Sequence, residues 1–539
     1  MGSSFFKKIT EDEIRGEIRK ELLHGLPSAF LKNPSSFVQE TGGKVIKVSK
    51  WRWAALVTLP GGRRIFLKRD LSKGTFEYLK YLFLPSKARK EWAIAVELEK
   101  KNLPVPQPLG WMEKTWLGLV KESYYLSEAL GTGLSAFDTL ERLRDPSVVA
   151  QLARHTKTFH DVGLYHRDLH TGNFLWENGS LVLTDLHSAS ILWTLSLKKR
   201  LWNLTHLFHS ARAAWGEKEQ REFLDVYFGR EDHALRRSTE FLQRIHRGMD
   251  RLQKRQWRSR TKRCLKNSTE FLFEREGDLT VFHRKDFILD EVKTVVEGHR
   301  NLVREKPEGL TKHSPRVIVS VTQRGDKKLA VKHFCYPRLR DRLKDLLRRS
   351  KGRKAWIGGN GLKARSISSV QPLALVETSH WLGPRESFFL METLEGSHEL
   401  DRYVLQGLED FRRKRIFIKA FAGWLADLYN KKIYHKDMKT CNFLVIEKQR
   451  SWDFTLLDLE DVRFGQRVTE RKLFKNFFQL NTSTPRIISQ TDRLRFAKEC
   501  LGRIPDIKNP KRLLRQVAQE SLGRDVVYVS PHGTVVEKL

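Results

Sequence analysis

Hydrophobic and polar positions along the chain predict strands first and helices later, and this order occurs twice. VIKVSKWRWAALVTL and RRIFLK alternate as β-strands do in the first half, and RVIVSV and KLAVKHF alternate in the same way in the second. In each half a basic helical stretch, a Pro-containing connection and another strand follow, and the remainder has helical periodicity. The pattern predicts an α+β fold whose two lobes enclose a ligand cleft.

Two segments, one in each half, are nearly the same. YHRDLHTGNFL begins at Tyr165, and YHKDMKTCNFL begins at Tyr434. Three further pairs occur in the same order and share one common offset: IFLK and LAVK, VPQPL and SVQPL, LSEAL and LMETL. The offset between paired segments is constant in the N-terminal part of the copies and grows slightly after it. Loop insertions in one copy would produce this pattern. We therefore predict two tandem domains, residues 1–260 and 261–539.

The predicted boundary falls in a strongly basic stretch, RLQKRQWRSRTKRC, at residues 251–264. Its composition is compatible with a helix, and we interpret it as a connecting helix or as the last helix of the first copy. A basic arm that binds anions is the functional alternative.

Both repeated segments fit the pattern H-R-D-x-x-x-x-N, the catalytic-loop signature of protein kinases. Asp168 and Asp437 stand where a carboxylate accepts the proton of the attacking hydroxyl. Asn173 and Asn442 stand where an amide holds a magnesium ion. Either loop alone is also compatible with a polar turn between a helix and a strand. Because both loops are in register with the other repeated elements, the catalytic interpretation is favoured.

A second acidic residue that binds magnesium is expected at the end of the strand after the catalytic loop. Asp185 in LVLTDLHSA and Asp458 in FTLLDLEDV occupy that position, although neither is followed by Phe-Gly. An Asp at a strand end is often only a turn residue. The apolar strand before each Asp and its distance from the preceding Asn favour the metal-binding role.

Lysines that contact ATP phosphates are expected at strand ends, and Lys68 in IFLK and Lys332 in LAVK fit this position. Glu91, in the basic helical stretch that follows Lys68, is the helix glutamate expected to pair with it. The matching segment of the second copy has Ala355, so that copy uses another acid or none. Neither copy has a glycine-rich phosphate loop. Trp51–Trp53 either covers the phosphates instead or packs against the fold.

Composition adds a strong charge signal. The formal net charge is +36, which implies an anionic partner: nucleic acid, an anionic membrane or a phosphorylated substrate. Lys and Arg that only solvate helix faces are the alternative. The four cysteines are scattered singly, so neither a zinc site nor a disulfide framework is predicted and a reducing compartment fits best.

With these residues in place, both copies resemble the bacterial lipopolysaccharide core kinases of the Kdo/WaaP family, small relatives of protein kinases. The resemblance rests on the two YH-D segments, on Asp-Leu-His-Ser-Ala in place of Asp-Phe-Gly, on VPQPL and on the SEAL and METL segments. It implies transfer of the γ-phosphate of ATP, with Mg²⁺, to a hydroxyl of an inner-core heptose or Kdo sugar.

The resemblance also implies roles for individual residues and a location. By resemblance, the catalytic bases are Asp168 and Asp437, the magnesium ligands are Asn173, Asp185, Asn442 and Asp458, the phosphate-contacting lysines are Lys68 and Lys332, and Glu91 orients Lys68. The implied acceptor is an anionic glycolipid, so a cytoplasmic protein on the inner face of the cytoplasmic membrane is expected. Each clustered Lys or Arg near such a surface contributes about 1 kcal/mol. Nucleic acid is not expected, since no RNA-binding motif occurs, and the oligomeric state is not indicated.

Two alternatives stay open. The chain is a kinase for another acceptor, such as a protein, a small molecule or an RNA-associated factor, because fold does not fix function. Alternatively, one or both copies are non-catalytic binding scaffolds, and Ala355 makes the second copy the stronger candidate. The second copy nevertheless keeps its lysine, both Asp residues and the Asn. We hypothesise that both copies bind magnesium-ATP and that the first is the more active.

Overall fold

The computed structural model describes residues 5–11, 13–131, 144–229, 232–305, 307–325, 327–338, 349–380, 383–408, 410–449, 451–465, 467–505 and 507–538. The chain divides into two compact units, Met1–Gln253 and Lys254–Leu539. Each unit contains a seven-stranded sheet followed by a mainly helical region. The α+β prediction is therefore confirmed, whereas a functional domain boundary at residue 260 stays a prediction.

The sheet of the first unit is antiparallel throughout, in the order β1-β2-β6-β7-β5-β4-β3. Close approach of β2 and β6 requires glycine, since a Cβ at Gly16 would lie 2.2 Å from the carbonyl oxygen of Trp111. The β1–β2 hairpin was not predicted from the sequence. The strands are β1 (Phe6–Glu11), β2 (Ile14–Arg19), β3 (Lys44–Ser49), β4 (Arg52–Thr58), β5 (Arg64–Leu71), β6 (Pro108–Trp116) and β7 (Leu119–Glu128).

Five helices accompany this sheet: α1 (Lys20–Leu23), α2 (Ser28–Lys32), α3 (Pro34–Glu40), α4 (Thr75–Phe83) and α5 (Lys87–Lys100). Helix α5 is the predicted basic helical stretch, and it packs on β6 and β7. It begins at Ser86, whose hydroxyl accepts a hydrogen bond from the Arg89 amide at 3.2 Å. Such a cap satisfies one of the amides that a helix leaves unpaired at its N terminus.

The helical region of the first unit is built around buried apolar faces of its long helices, including Leu152 and Phe208. The short strands between α6 and α7 form two pairs, β8 with β11 and β9 with β10. The elements are α6 (Pro146–Asp161), β8 (Leu164–His166), β9 (Phe174–Glu177), β10 (Ser180–Leu183), β11 (Ala189–Ile191), α7 (Leu197–Ala211), α8 (Glu217–Phe228) and α9 (Asp232–Lys262), the last of which continues into the second unit.

The second unit repeats the sheet of the first, strand for strand, in the order β12-β13-β17-β18-β16-β15-β14. The identical connectivity agrees with the duplication inferred from the sequence offsets. The elements are β12 (Phe271–Glu276), β13 (Leu279–Arg284), α10 (Leu289–Glu305), β14 (Lys312–Ser314), β15 (Val317–Arg324), β16 (Lys327–Cys335), α11 (Lys351–Lys363), β17 (Pro372–His380) and β18 (Gly383–Glu392).

The helical region of the second unit contains the largest apolar core, which includes Phe421, Leu425 and Phe477. Its elements are β19 (Ser397–Glu399), α12 (Leu400–Leu405), α13 (Phe411–Asn430), β20 (Ile433–His435), β21 (Phe443–Lys448), β22 (Ser451–Leu456), β23 (Val462–Phe464), α14 (Glu470–Ser483), α15 (Gln490–Gly502), α16 (Pro510–Ser521), β24 (Val526–Ser530) and β25 (Gly533–Glu537). Among the residues that the structure describes, no helix has the length and apolar character needed to cross a membrane.

Helix α11 is the counterpart of α5 and keeps its Ser cap, since the Ser350 hydroxyl accepts a hydrogen bond from the Arg353 amide at 2.9 Å. Its sequence, however, is rich in glycine. A Cβ at Gly358 would lie 2.2 Å from the carbonyl oxygen of Leu459, so glycine allows α11 to approach the turn after β22. Ala355 is fully buried on this helix. These small residues bring α11 close to the turn that carries the second candidate site.

Candidate active sites

A buried lysine lies at the centre of the first candidate site. Lys68 projects from β5, and its Nζ donates hydrogen bonds to Glu91 Oε2 at 2.9 Å and to Asp185 Oδ1 at 2.5 Å. Only 6% of the Lys68 side chain and 3% of the Glu91 side chain are exposed. Burial alone would lower the pKa of Lys68, but the two carboxylates outweigh it and the pKa is raised. The ammonium group is therefore charged and fixed in place.

Asp185 links this lysine to the turn after β10. Although burial would raise its pKa, hydrogen bonding to His187 and the charge of Lys68 lower the pKa of Asp185 well below its usual range. His187 Nδ1 lies 2.6 Å from Asp185 Oδ1. The backbone of Asp185 is left-handed, with φ 60°, and Asp458 of the second unit has φ 48°. Aspartate is among the residues other than glycine that adopt this conformation most readily, and its occurrence at both positions shows that the two turns have the same backbone geometry.

The first catalytic loop follows β8 and contacts the same turn. His166 Nε2 donates to the backbone oxygen of Asp185 at 3.1 Å. The amide nitrogen of Asn173 donates to the backbone oxygen of Asp168 at 3.0 Å. The first hydrogen bond connects the loop that carries Asp168 and Asn173 to the turn that carries Asp185, and the second lies within the loop. The structure therefore brings together the catalytic-loop residues and the predicted magnesium-binding aspartate.

Helix α7 supports the first loop through residues that were not predicted from the sequence. The side-chain oxygen of Asn203 accepts a hydrogen bond from the His166 amide at 3.3 Å, and Ser210 Oγ accepts one from the Thr171 amide at 2.9 Å. In the second unit, Asn476 donates to the backbone oxygen of His435 and Ser483 accepts from Thr440. The two asparagines are separated by the same offset as Asp185 and Asp458, and so are the two serines. Extending the alignment of the two copies beyond these aspartates would therefore have identified them.

Asp168 itself is open to solvent, with 70% of its side chain exposed. His206 Nδ1 on α7 lies 3.8 Å from Asp168 Oδ1, and this interaction is the main cause that holds the pKa of the Asp168 carboxyl below its usual range. In the second unit, Gln479 occupies the same register and donates to Asp437 Oδ1 at 3.4 Å, while Lys439 Nζ lies 3.3 Å from that oxygen. Asp168 is thus ionised and accessible, and Asp437 has hydrogen-bonding and charged partners at the corresponding place.

The second candidate site has the same lysine but a different pair of acids. Lys332 Nζ on β16 donates to Asp458 Oδ1 at 2.7 Å and to Glu460 Oε1 at 2.8 Å. Burial alone would lower the pKa of Lys332, yet these two carboxylates raise it. Glu460 therefore replaces the acid that α11 lacks at Ala355. The first unit has His187 at the position of Glu460. In the sequence, therefore, an alignment of the two copies shows that the second copy lacks the acid at one position and has an acid at the other.

The second catalytic loop has the geometry of the first. His435 Nε2 donates to the backbone oxygen of Asp458 at 3.1 Å, and the Asn442 amide nitrogen donates to the backbone oxygen of Asp437 at 2.7 Å. All four predicted residues of this unit, the lysine, two aspartates and asparagine, are therefore brought to one site.

The aromatic segment proposed to cover the phosphates lies at the β3–β4 hairpin. Trp53 packs against the core of the sheet, and Arg52 Nε donates to Asp70 Oδ1 at 3.0 Å. Trp51 is 37% exposed. Of the three residues, Trp53 packs against the fold and Trp51 lies at the surface of the hairpin.

The chemistry of the predicted metal ligands suits Mg²⁺, which prefers oxygen donors. Asn173 and Asn442 each use the amide nitrogen to bind the loop. The amide oxygen of Asn442 also accepts a long contact of 4.0 Å from the Cys441 thiol. Asp185 and Asp458 keep 40% and 38% of their side chains exposed.

Glu91, Asp185 and His187 place one ligand atom each within 4.8 Å of one another. Both sites thus contain an amide oxygen and a partly exposed carboxylate.

The bilobal fold and this arrangement define a protein-kinase-like protein. The sequence model of the lipopolysaccharide kinase (Kdo/WaaP) family matches residues 29–227 and 320–499. The chain belongs to this family, which it matches once in each unit, and the family prediction is confirmed. No curated protein matches the chain. One similar solved structure, described as WaaP in complex with acyl carrier protein, is 21% identical, with a TM-score of 0.33 over 41% of this chain and 92% of that chain.

The exchange of acids predicts a stability effect in the second unit. Glu460→Gln removes the negative charge of one of the two carboxylates that contact Lys332. It should lower the free energy of unfolding by roughly 1–3 kcal/mol, the range for losing a buried hydrogen bond to a charged group. Urea unfolding of the full chain measures this change. Glu395, which is exposed, provides the matched control, and Glu395→Gln should change stability by less than about 0.5 kcal/mol. Equal stability of the two variants would show that Glu460 does not stabilise the lysine.

Proposed function

We propose that the chain is an ATP-dependent kinase that phosphorylates a sugar hydroxyl, a heptose or Kdo, of the lipopolysaccharide inner core. Family membership supports the class of acceptor. The observation that carries the proposal is the convergence, in both units, of a buried lysine, a strand-end aspartate and an Asp–Asn loop. Phosphoryl transfer requires this combination, because its catalysis consists mainly of positioning and charge stabilisation.

The nucleotide is assigned to the cleft beside each buried lysine. Lys68 and Lys332 would contact the ATP phosphates, and Glu91 or Glu460 would orient the lysine. Asn173 with Asp185, and Asn442 with Asp458, would hold Mg²⁺, which neutralises charge on the phosphates when bound. The lysines are well suited to this role because neighbouring carboxylates keep them protonated.

The acceptor hydroxyl is assigned to the open side of the catalytic loop. Asp168 or Asp437 accepts the hydroxyl proton while the hydroxyl oxygen forms a bond to the γ-phosphorus and ADP leaves. The exposure of Asp168 suits a bulky glycan acceptor. The lowered pKa of Asp168 keeps it in the ionised form that accepts a proton.

We further propose that each unit is one functional domain, with the boundary near residue 260, and that both bind magnesium-ATP. The scaffold alternative for the second unit rested on the missing acid at Ala355 of α11. Glu460 supplies an acid to the same lysine and so supports activity in this unit. The first unit keeps the Lys–Glu pair of ordinary kinases and is expected to be the more active.

The net charge of +36 supports a negatively charged acceptor. We propose that the protein is cytoplasmic and attaches peripherally to the inner face of the cytoplasmic membrane, where the anionic glycolipid is made. Attraction of Lys and Arg to anionic lipid provides the affinity for that surface.

The proposed reaction is tested with radiolabelled ATP offered together with purified lipopolysaccharide core, RNA or a generic protein. Label should enter the core. The Asp168→Asn/Asp437→Asn double variant should lose at least about 100-fold in rate, because general-base catalysis contributes roughly 10²–10⁴-fold. Among the single variants, Asp168→Asn should lose more than Asp437→Asn.

Asp250→Asn and Asp525→Asn are matched controls, since both aspartates are exposed and lie outside the sites. They should retain wild-type rates. Label in RNA or protein but not in the core would contradict the proposed acceptor. An unchanged rate in Asp168→Asn would contradict the proposed ranking of the two units.

The His206 contact predicts a shift in pH dependence. Because His206 lowers the pKa of Asp168, His206→Leu, which cannot donate a hydrogen bond, should raise that pKa, and the acidic limb of the kcat/KM profile should move to higher pH. The measurement is made in the Asp437→Asn background, so that only the first unit is observed. His209→Leu, further along α7, is the control and should leave the limb in place. An acidic limb that does not move in His206→Leu would contradict Asp168 as the titrating base.

A further inference from the structure

The second unit contains a cavity of about 650 Å³ whose lining is strongly basic. Ten of its 18 lining residues are Lys or Arg, and none is Asp or Glu. We call this cavity the basic pocket; its cations lie within 254–262, 349–365 and 431–436 and at Arg463. Lys431 forms an ion pair with Asp427 at 2.8 Å, but no carboxylate lines the cavity itself, and the excess of positive charge around it creates a potential that favours an anionic ligand.

Arg365 gives a second and independent indication. It lines the basic pocket, is only 6% exposed, and has a buried Nε without a hydrogen-bond partner among the described residues. Its Nη1 donates to Thr261 and to the backbone oxygen of Gly361, both neutral groups. Its guanidinium also lies 4.0 Å from the centre of the Phe464 ring and 5.2 Å from that of the Trp257 ring. These ring and neutral contacts do not neutralise the charge, and an anion bound in the pocket would balance it.

Three of these cations stand where the first unit has an uncharged residue. The repeat alignment places Lys432 at the position of Gly163, Arg463 at that of Ser190 and Lys431 at that of Val162. Lys432 has φ 57°, and Gly163 has φ 82°. A lysine in this left-handed conformation costs free energy that the glycine of the first unit avoids. The second unit therefore has a lysine, in a backbone conformation that favours glycine, at a position where the first unit has glycine.

We propose that the basic pocket binds a small molecule that carries several phosphate groups. Guanidinium groups match the geometry of phosphate oxygens, and the volume lies in the roughly 300–1,000 Å³ range of small-molecule sites. A single phosphate would leave most of the cavity unfilled. The inference goes beyond the proposed kinase activity, because binding here requires no catalysis.

The basic pocket shares two chain segments with the second candidate active site. Lys436 lines the basic pocket and precedes Asp437 in the catalytic loop. Nη1 of Arg463 donates to the backbone oxygen of Glu460 at 2.8 Å, and the Glu460 side chain binds Lys332. A ligand in the pocket would thus contact segments that carry the base and an acid of that site.

Calorimetric titration with inorganic tripolyphosphate tests the proposal. The variant Lys432→Gly/Arg463→Ser replaces two pocket cations with the residues of the first unit, which fit the same backbone. It should bind tripolyphosphate at the pocket at least tenfold more weakly than the wild type, because two charge-assisted contacts are lost. All titrations are made in the Lys68→Met/Lys332→Met background, which removes the phosphate-contacting lysine from each ATP cleft, so the difference belongs to the basic pocket.

Lys511→Ser/Arg515→Ser is the matched control, since it removes two exposed charges of α16 that do not line the basic pocket. It should bind as the wild type does. Equal binding by all three proteins, or no binding by the wild type, would overturn the proposal. Displacement of bound tripolyphosphate by single-stranded RNA but by no small phosphorylated compound would also overturn it.

Competition identifies the source of the phosphate groups. Phosphorylated core oligosaccharide that displaces tripolyphosphate, when the dephosphorylated form does not, would identify the ligand as glycan-borne. Displacement by a free nucleoside triphosphate alone would identify a soluble ligand. Both results support the proposed chemistry. Because these are binding measurements, their failure is distinguishable from a failure of phosphotransfer.

Discussion

A buried ammonium group held by two carboxylates is the interaction on which both candidate sites depend. Removing a charged lysine from water is costly, and the cost is offset only when opposite charges contact it directly. In the first unit these charges come from α5 and from the turn after β10. In the second unit both come from the turn after β22, at Asp458 and Glu460. The glycine-rich α11 packs on this turn instead of supplying an acid to it.

The repeat in the sequence was sufficient to predict the lysines, aspartates and asparagines, because each occupied the same register in both copies. Glu460 was not predicted, because in ordinary protein kinases the acid that pairs with the lysine lies on a helix, and only that helix was considered. The β1–β2 hairpin was missed because charged residues occupy many positions of FKKITE and IRGEIR, so apolar alternation is weak. One part of the basic pocket, the stretch at residues 251–264, was noted in the sequence with an anion-binding arm as its alternative interpretation. The pocket itself was not predicted, because its other cations come from segments that are far apart in sequence and meet only in the fold.

The two units have diverged in different ways from a common arrangement. The first has the lysine–glutamate pair and a histidine beside Asp168, its proposed catalytic base. The second has its second acid on the turn instead of the helix, and it has the basic pocket. A site that has only decayed would not be expected to replace its missing acid with another in contact with the same lysine. This replacement supports a retained nucleotide site in the second unit.

The central claim, that each unit binds magnesium-ATP through its buried lysine, is tested most directly by the stoichiometry of nucleotide binding. Calorimetric titration of the full chain with magnesium and a non-hydrolysable ATP analogue would be compared with the same titration of Lys68→Met and of Lys332→Met. The account predicts that each substitution removes one equivalent of bound nucleotide. Binding that is unchanged in either variant would contradict the account for that unit.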